Sequence, residues 1–283
     1  MNAIHILWTR PFLQRNPGTE FFIDDFELLT TILSALKWRE QNGTIQMVTD
    51  SRGADYYHRL GLDKLWDSLL MGLDEIPAEL NADIFWAAGK LFALQQQKSP
   101  CVLLDTDFIV WRPILFENIH APAAVIHREE LYPDVYPGPE QLHMRPGYSF
   151  DPRWDWSQLP CNTAFAYFND QELLDDYTAA SIDFMENALN PDDFLTYMVF
   201  AEQRLLAMCA KAAGKEIMEF STLERLFRHG EDYFTHTWGF KAQMRQEPLL
   251  REAFCRKAAR RICTDFPAMR PVLQGIPELA QYL

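Results

Sequence analysis

Apolar positions divide the chain into short strands and amphipathic helices. Residues 3–8 (AIHILW) read as a strand ending in the loop Thr9, Arg10, Pro11. Asp24 or Asp25 caps a helix running to about Gln41 that puts Phe26, Leu29, Leu33 and Leu36 on one face, and Gly43 suits its exit. A second strand follows at 44–49, and a short helix ends at Gly61. Asp83 opens another helix, IFWAAGKLFALQQQ, which Pro100 punctuates. Residues 102–104 are wholly apolar, the pattern of a strand buried on both faces of a sheet. Strands are also expected at 123–127, 162–168, 217–220 and 234–238, and helices at about 170–188 and 193–213. From about Pro248 the chain reads as a basic amphipathic helix and a proline-broken tail. This alternation predicts an α/β fold with a largely parallel sheet.

Candidate chemistry centres on residues 100–113, PCVLLDTDFIVWRP. In extended backbone Asp105 and Asp107 share one face. Two like charges among apolar neighbours are costly unless a cation or donors neutralise them. Open α/β sheets bind ligands just beyond the carboxyl ends of their strands, where this pair falls. A divalent metal shared with substrate phosphates suits carboxylate ligands. Asp50, at the end of the second strand, is placed either to meet a ligand or to cap a helix.

Residues 128–160 have another character, with six prolines, three tyrosines, two tryptophans and little periodicity. A connection this long is a binding loop or lid, and its aromatic content argues against simple disorder. Trp154 and Trp156 either stack on a ligand or pin the loop to the core.

Composition narrows the class. A net charge of −14 argues against a general nucleic-acid or anionic-membrane binder, which would want a basic face. Five cysteines without a C-x-x-C pair suit reduced thiols and a cytoplasmic location. No apolar run is long enough for a membrane span, and no signal peptide is expected. The basic stretch Arg256, Lys257, Arg260, Arg261 is a solvated face or a peripheral anchor to an acidic partner or lipid surface.

The segment WAAGKLFALQQQKSPCVLLDTDFIVWRP resembles metal-dependent glycosyltransferases of the GT-A fold, in particular glycogenin-like enzymes and lipopolysaccharide galactosyltransferases. The resemblance implies a Rossmann-like mixed sheet flanked by helices, with a nucleotide-diphosphate-sugar donor (a UDP-sugar) and a carbohydrate, glycolipid or protein acceptor. It implies Mn²⁺ or Mg²⁺ held by Asp105 and Asp107, and Lys90 near the donor. CNTAFAYFN (161–169) is similar to the family's N-x-G strand, with Ala164 in place of glycine and Asn162 lining the sugar pocket. HTWGFK (236–241) resembles H-x-x-G-x-x-K, which makes His236 the third metal ligand and Lys241, one residue early, a phosphate contact. Glu202-Gln203 stands where the family has an acid–amide pair facing the reacting carbon, and Thr9 completes the donor-binding set. The organisation implied is a catalytic domain over 1–245, with 128–160 as its acceptor loop, and a helical appendage over 246–283.

Two other readings fit part of the pattern. LLDTDFIV approximates the first motif of haloacid-dehalogenase-like phosphohydrolases, with Asp105 as nucleophile, but lacks a downstream G-D-x-x-x-D pair. A nucleotide-sugar-binding protein without turnover would keep the same residues.

Overall fold

The computed structural model describes residues 1–189, 191, 193, 195–229 and 233–283. Nine strands occur among these residues: β1 (Asn2–Leu7), β2 (Thr44–Thr49), β3 (Ser68–Leu70), β4 (Cys101–Leu104), β5 (Phe108–Val110), β6 (Ala123–Val125), β7 (Phe165–Phe168), β8 (Ile217–Glu219) and β9 (Phe234–His236). Among the described residues, seven form one sheet in the order β3-β2-β1-β4-β7-β6-β8, while β5 and β9 pair separately. Only β7 runs against its neighbours in the large sheet. This is the mixed sheet flanked by helices that the sequence predicts.

The helices are α1 (Arg10–Arg15), α2 (Asp25–Gln41), α3 (Ser51–Arg59), α4 (Ala88–Gln95), α5 (Gln171–Asn187), α6 (Thr196–Val199), α7 (Leu205–Ala212), α8 (Leu223–His229), α9 (Phe240–Gln246), α10 (Pro248–Asp265), α11 (Arg270–Gly275) and α12 (Pro277–Ala280). A π-helical turn, Phe200–Arg204, joins α6 to α7. The helix expected over 193–213 thus begins at Thr196 within the described residues, and its residue 194 lies outside them. The helix expected from Asp83 starts at Ala88. The Asn81 side chain takes the Asp83 and Ile84 amides, at 3.0 and 3.4 Å, and holds that stretch in a separate turn. The 9–11 loop opens α1, with Pro11 in its first turn, where a missing N–H costs nothing.

Alternation along each strand divides the core. Cys101 and Leu103 of β4 pack with α4, α5 and α7, whereas Val102 and Leu104 pack with α2 and α10. Both faces of β4 are therefore covered, which is why its sequence is continuously apolar. The last helices return to α2: Arg251 Nε is 2.7 Å from Asp25 Oδ1, and Cys255, Ala258 and Ile262 join the same core as Phe26 and Leu29. The tryptophans of 128–160 are spent on the core. Trp156 stacks on Phe200 with centroids 5.4 Å apart, and Arg204 lies over its ring.

A buried polar relay ties β1 to β5. Trp66 Nε1 donates to His5 Nδ1 (3.2 Å), His5 Nε2 meets Ser34 Oγ (3.1 Å), and Ser34 donates to the Phe108 carbonyl (2.5 Å). The first bond makes Nδ1 an acceptor, so a neutral imidazole carries its proton on Nε2. Burial lowers the His5 pKa from 6.5 to about 3. The unfolded chain therefore binds one more proton between these values, and stability is lost as pH falls through them, by about 1.4 kcal/mol per unit. Urea unfolding from pH 7 to 4 should show this slope. The difference between the protein and His5→Gln should shrink as pH falls below 6.5, and a constant difference would show that His5 is not buried neutral.

Candidate active site

The D-x-D occupies a tight turn from the large sheet to the small one. Phe108 N donates to the Asp105 carbonyl (3.0 Å), closing the turn. Asp105 N donates to Ala164 O beside β7 (2.8 Å), and Thr237 N donates to Asp107 O beside β9 (3.2 Å). Each aspartate is thus fixed by a strand from the far half of the chain. Register pairing of Phe108 with His236 brings the imidazole to the turn. Asp105, Asp107 and His236 each offer a ligand atom within 4.8 Å of the others, with His236 Nε2 3.6 Å from Asp107 Oδ2. The donor set fits a divalent metal: two hard carboxylates and one imidazole, partly buried.

Two lysines neutralise these carboxylates in the protein alone. Lys90 Nζ lies 2.6 Å from Asp105 Oδ1 and 2.7 Å from Glu202 Oε1. Lys241 Nζ lies 2.9 Å from Asp107 Oδ2 and 3.4 Å from Glu27 Oε1. Lys90 reaches the turn because α4 packs tightly on β1. A Cβ at Gly89 would come within 2.9 Å of Trp8 Cβ, so this close approach needs glycine.

The electrostatics follow from this pairing. Burial pushes Asp105 up to about 6 despite Lys90, with Asp107 and Glu202 adding to the rise. Burial also works to raise Asp107, but Lys241 and His236 outweigh it and hold that carboxyl below its ordinary range. Burial lowers His236 to about 4, against the pull of Asp107, leaving a neutral imidazole. The charge of Lys90 is opposed by burial and more than restored by Asp105 and Glu202, so its pKa rises.

The π turn supplies the other half of the site. A π turn shifts the register of backbone hydrogen bonds by one residue, and the freed carbonyls need donors. Tyr177 Oη donates to Glu202 O, and Ser181 Oγ donates to Ala201 O (2.8 Å). Glu202 is only 2% exposed and also accepts from Thr163 Oγ1 (2.7 Å). Gln203 stays half-buried, its Oε1 accepting from Tyr136 Oη of the long loop (2.6 Å).

The remaining expected residues have defined places. Asn162 donates to Glu129 Oε1 (2.8 Å) and accepts from the Ala164 amide (3.2 Å). Thr9, at the carboxyl end of β1, gives both its amide and its hydroxyl to Asp50 Oδ2, at 2.7 and 2.9 Å. Asp50 Oδ1 accepts from Gly53 N (2.9 Å), so its carboxylate works as the cap of α3. The structure thus unites Lys90, Asp105, Asp107, Glu202, His236 and Lys241 in one set of contacts. Glu27, Glu129, Thr163 and Tyr177 were not singled out in the sequence. Glu27 and Tyr177 lie on helix faces whose spacing signals packing only, and Glu129 stands in a stretch without periodicity.

The chain belongs to a family of unknown function, DUF6734, whose model matches residues 1–267. No curated protein matches it. Solved structures similar to it include the PaToxG glycosyltransferase, at 12% identity and TM-score 0.44, covering 99% of this chain and 85% of that one. Mouse xyloside xylosyltransferase 1 in its apo form matches at 11% identity and TM-score 0.39, over 82% and 92% of the two chains. The galactosyltransferase LgtC, in complex with donor and acceptor sugar analogues, matches at 10% identity and TM-score 0.37, over 77% and 73%. Among the described residues no helix is long and apolar enough to cross a membrane.

Lys90→Met strips the shared cation from two carboxylates that are largely buried. It should destabilise the protein by about 3 kcal/mol or more in urea unfolding. Lys90→Met/Glu202→Met should recover part of that loss, because it removes one orphaned charge. An unchanged unfolding midpoint in the single variant would show that the bridge adds no stability.

Proposed function

We propose that the protein is a glycosyltransferase that moves a sugar from a nucleotide-diphosphate-sugar to a carbohydrate, glycolipid or protein acceptor, with Mn²⁺ or Mg²⁺ at Asp105, Asp107 and His236. One observation carries this reading: a D-x-D turn at the carboxyl edge of an open α/β sheet, joined by an imidazole from a distant strand and flanked by two lysines. Departure of a nucleoside diphosphate needs positive charge at the phosphates, which a metal held by these ligands supplies.

The chain's own residues divide the remaining work. Lys241, the more exposed of the two lysines, is placed to leave Asp107 and meet a phosphate. Lys90 holds the Asp105 and Glu202 carboxylates at fixed separation. Glu202, enclosed and fully engaged, acts as a positioning residue. Gln203 is the member of the pair with access to a substrate, and its amide suits a developing positive charge at the anomeric carbon. Asn162 and Glu129 offer polar groups to sugar hydroxyls. The phosphohydrolase reading is not favoured, because the chain lacks the downstream G-D-x-x-x-D acidic pair that such enzymes place beside the nucleophilic aspartate.

Calorimetric titration with UDP and GDP tests the reading. Binding should require Mn²⁺ and disappear with chelator. Asp107→Ala should lose the metal-dependent part, while a circular dichroism spectrum like the parent's shows that the fold is kept. Equal nucleotide affinity with and without chelator would overturn the metal-centred assignment. A trapped phosphoryl adduct on Asp105 would favour the phosphohydrolase instead.

A further inference from the structure

A cavity of about 660 Å³ lies between α10, α2 and the β5–β9 pair. This is within the range of ~300–1,000 Å³ usual for small-molecule sites. Its wall is apolar, made by Leu33, Ile109, Trp111 and Phe254. The Trp111 indole N–H is consumed by Thr235 Oγ1 at 2.8 Å, so the indole offers the cavity no donor, and Arg261 lies over its ring 5.3 Å from the centroid. None of Lys90, Asp105, Asp107, Glu202, His236 or Lys241 lines it.

The rim has the opposite character. Lys257, Arg260 and Arg261 border the cavity, with Asp265 as the acidic member of the lining. Asp265 is already neutralised, lying 2.6 Å from Lys37 and 2.6 Å from Arg261. Arg256 of the same helix pairs with Glu252 at 2.8 Å. Lys257 and Arg260 have no carboxylate partner among the described residues, in a chain with 40 acidic and 26 basic side chains. Arg260 also borders a smaller hollow of about 230 Å³, lined in addition by Arg256 and Arg270. Unmatched cations thus gather at the mouth of an apolar cavity on an otherwise acidic protein.

We propose that this cavity binds a single-chain amphiphile with an anionic head, its hydrocarbon against Trp111, Ile109 and Phe254 and its head at Lys257 and Arg260. Charge and shape complement it together: the wall is largely apolar apart from the Thr235 and Thr264 hydroxyls, and the rim offers two cations without a carboxylate partner among the described residues. The inference is independent of the sugar-transfer reading, because the two sites share no residue.

Dodecanoate, below its micelle concentration, is the probe, titrated calorimetrically against the full chain. Saturable one-to-one binding is expected, with octanoate weaker and dodecyltrimethylammonium not binding. Lys257→Glu/Arg260→Glu should weaken dodecanoate by about tenfold or more, the scale of one charge-assisted contact, without moving the thermal midpoint. A bromine-substituted dodecanoate should quench tryptophan emission, and the quenching should be lost in Trp111→Phe. Equal affinity for the cationic amphiphile, or affinity independent of chain length, would overturn the proposal. So would binding to anionic phosphatidylserine vesicles with none to monomeric dodecanoate, which would make the face a membrane contact instead.

Discussion

The Lys90 bridge is the interaction on which the site depends. One ammonium group, carried on α4, holds the Asp105 carboxylate after β4 and the Glu202 carboxylate on the π turn. Without it two acids would face each other with little water to screen them. Asp105 and Glu202 would then repel or take up a proton, and the turn carrying Asp107 would lose its reference point. The close contact of Gly89 with Trp8, the π turn between α6 and α7 and the hydroxyls of Tyr177 and Thr163 all serve this geometry. They are features of backbone and packing, yet their effect is electrostatic.

The second lysine belongs to a looser system. Lys241 joins Asp107 to Glu27, Arg245 joins Glu27 to Asp24, and Arg251 joins Asp24 to Asp25. This ladder runs from the D-x-D turn along the start of α2 to the C-terminal helices. Its three cations, Lys241, Arg245 and Arg251, are more exposed than Lys90, so each link contributes less alone. Together they keep α9 and α10 against α2, and with them the strand that delivers His236.

Much of this was legible in the chain. The apolar run before Asp105 announced a doubly buried strand, and the D-x-D, His236 and the two lysines, which the family resemblance pointed to, lie together. What the sequence concealed has physical causes. The start of α4 was misplaced because Asn81 closes a competing turn that periodicity does not register. β3 is too short to show alternation, and α1 was hidden because Pro11 reads as punctuation unless it falls in a first turn. The π turn leaves no compositional mark, since its carbonyls are satisfied by Tyr177 and Ser181 from another helix. Asp50 was ambiguous between ligand and cap, and only the geometry of its two oxygens decides for the cap.

The pairing of β5 with β9 also has a consequence for how the molecule forms. β1 and β2 lie close in sequence and associate at small entropic cost, as do the strands and helices around them. The strand bearing His236 must instead return from the last fifth of the chain to meet a turn made in its first half. Contacts of such separation form late in folding. On a ribosome the sheet up to β4 can assemble while the strand bearing His236 is still unmade. The cluster of Asp105, Asp107 and His236 is therefore completed after the strands that carry its aspartates, and a chain ended short of β9 would carry an acidic turn that no histidine joins.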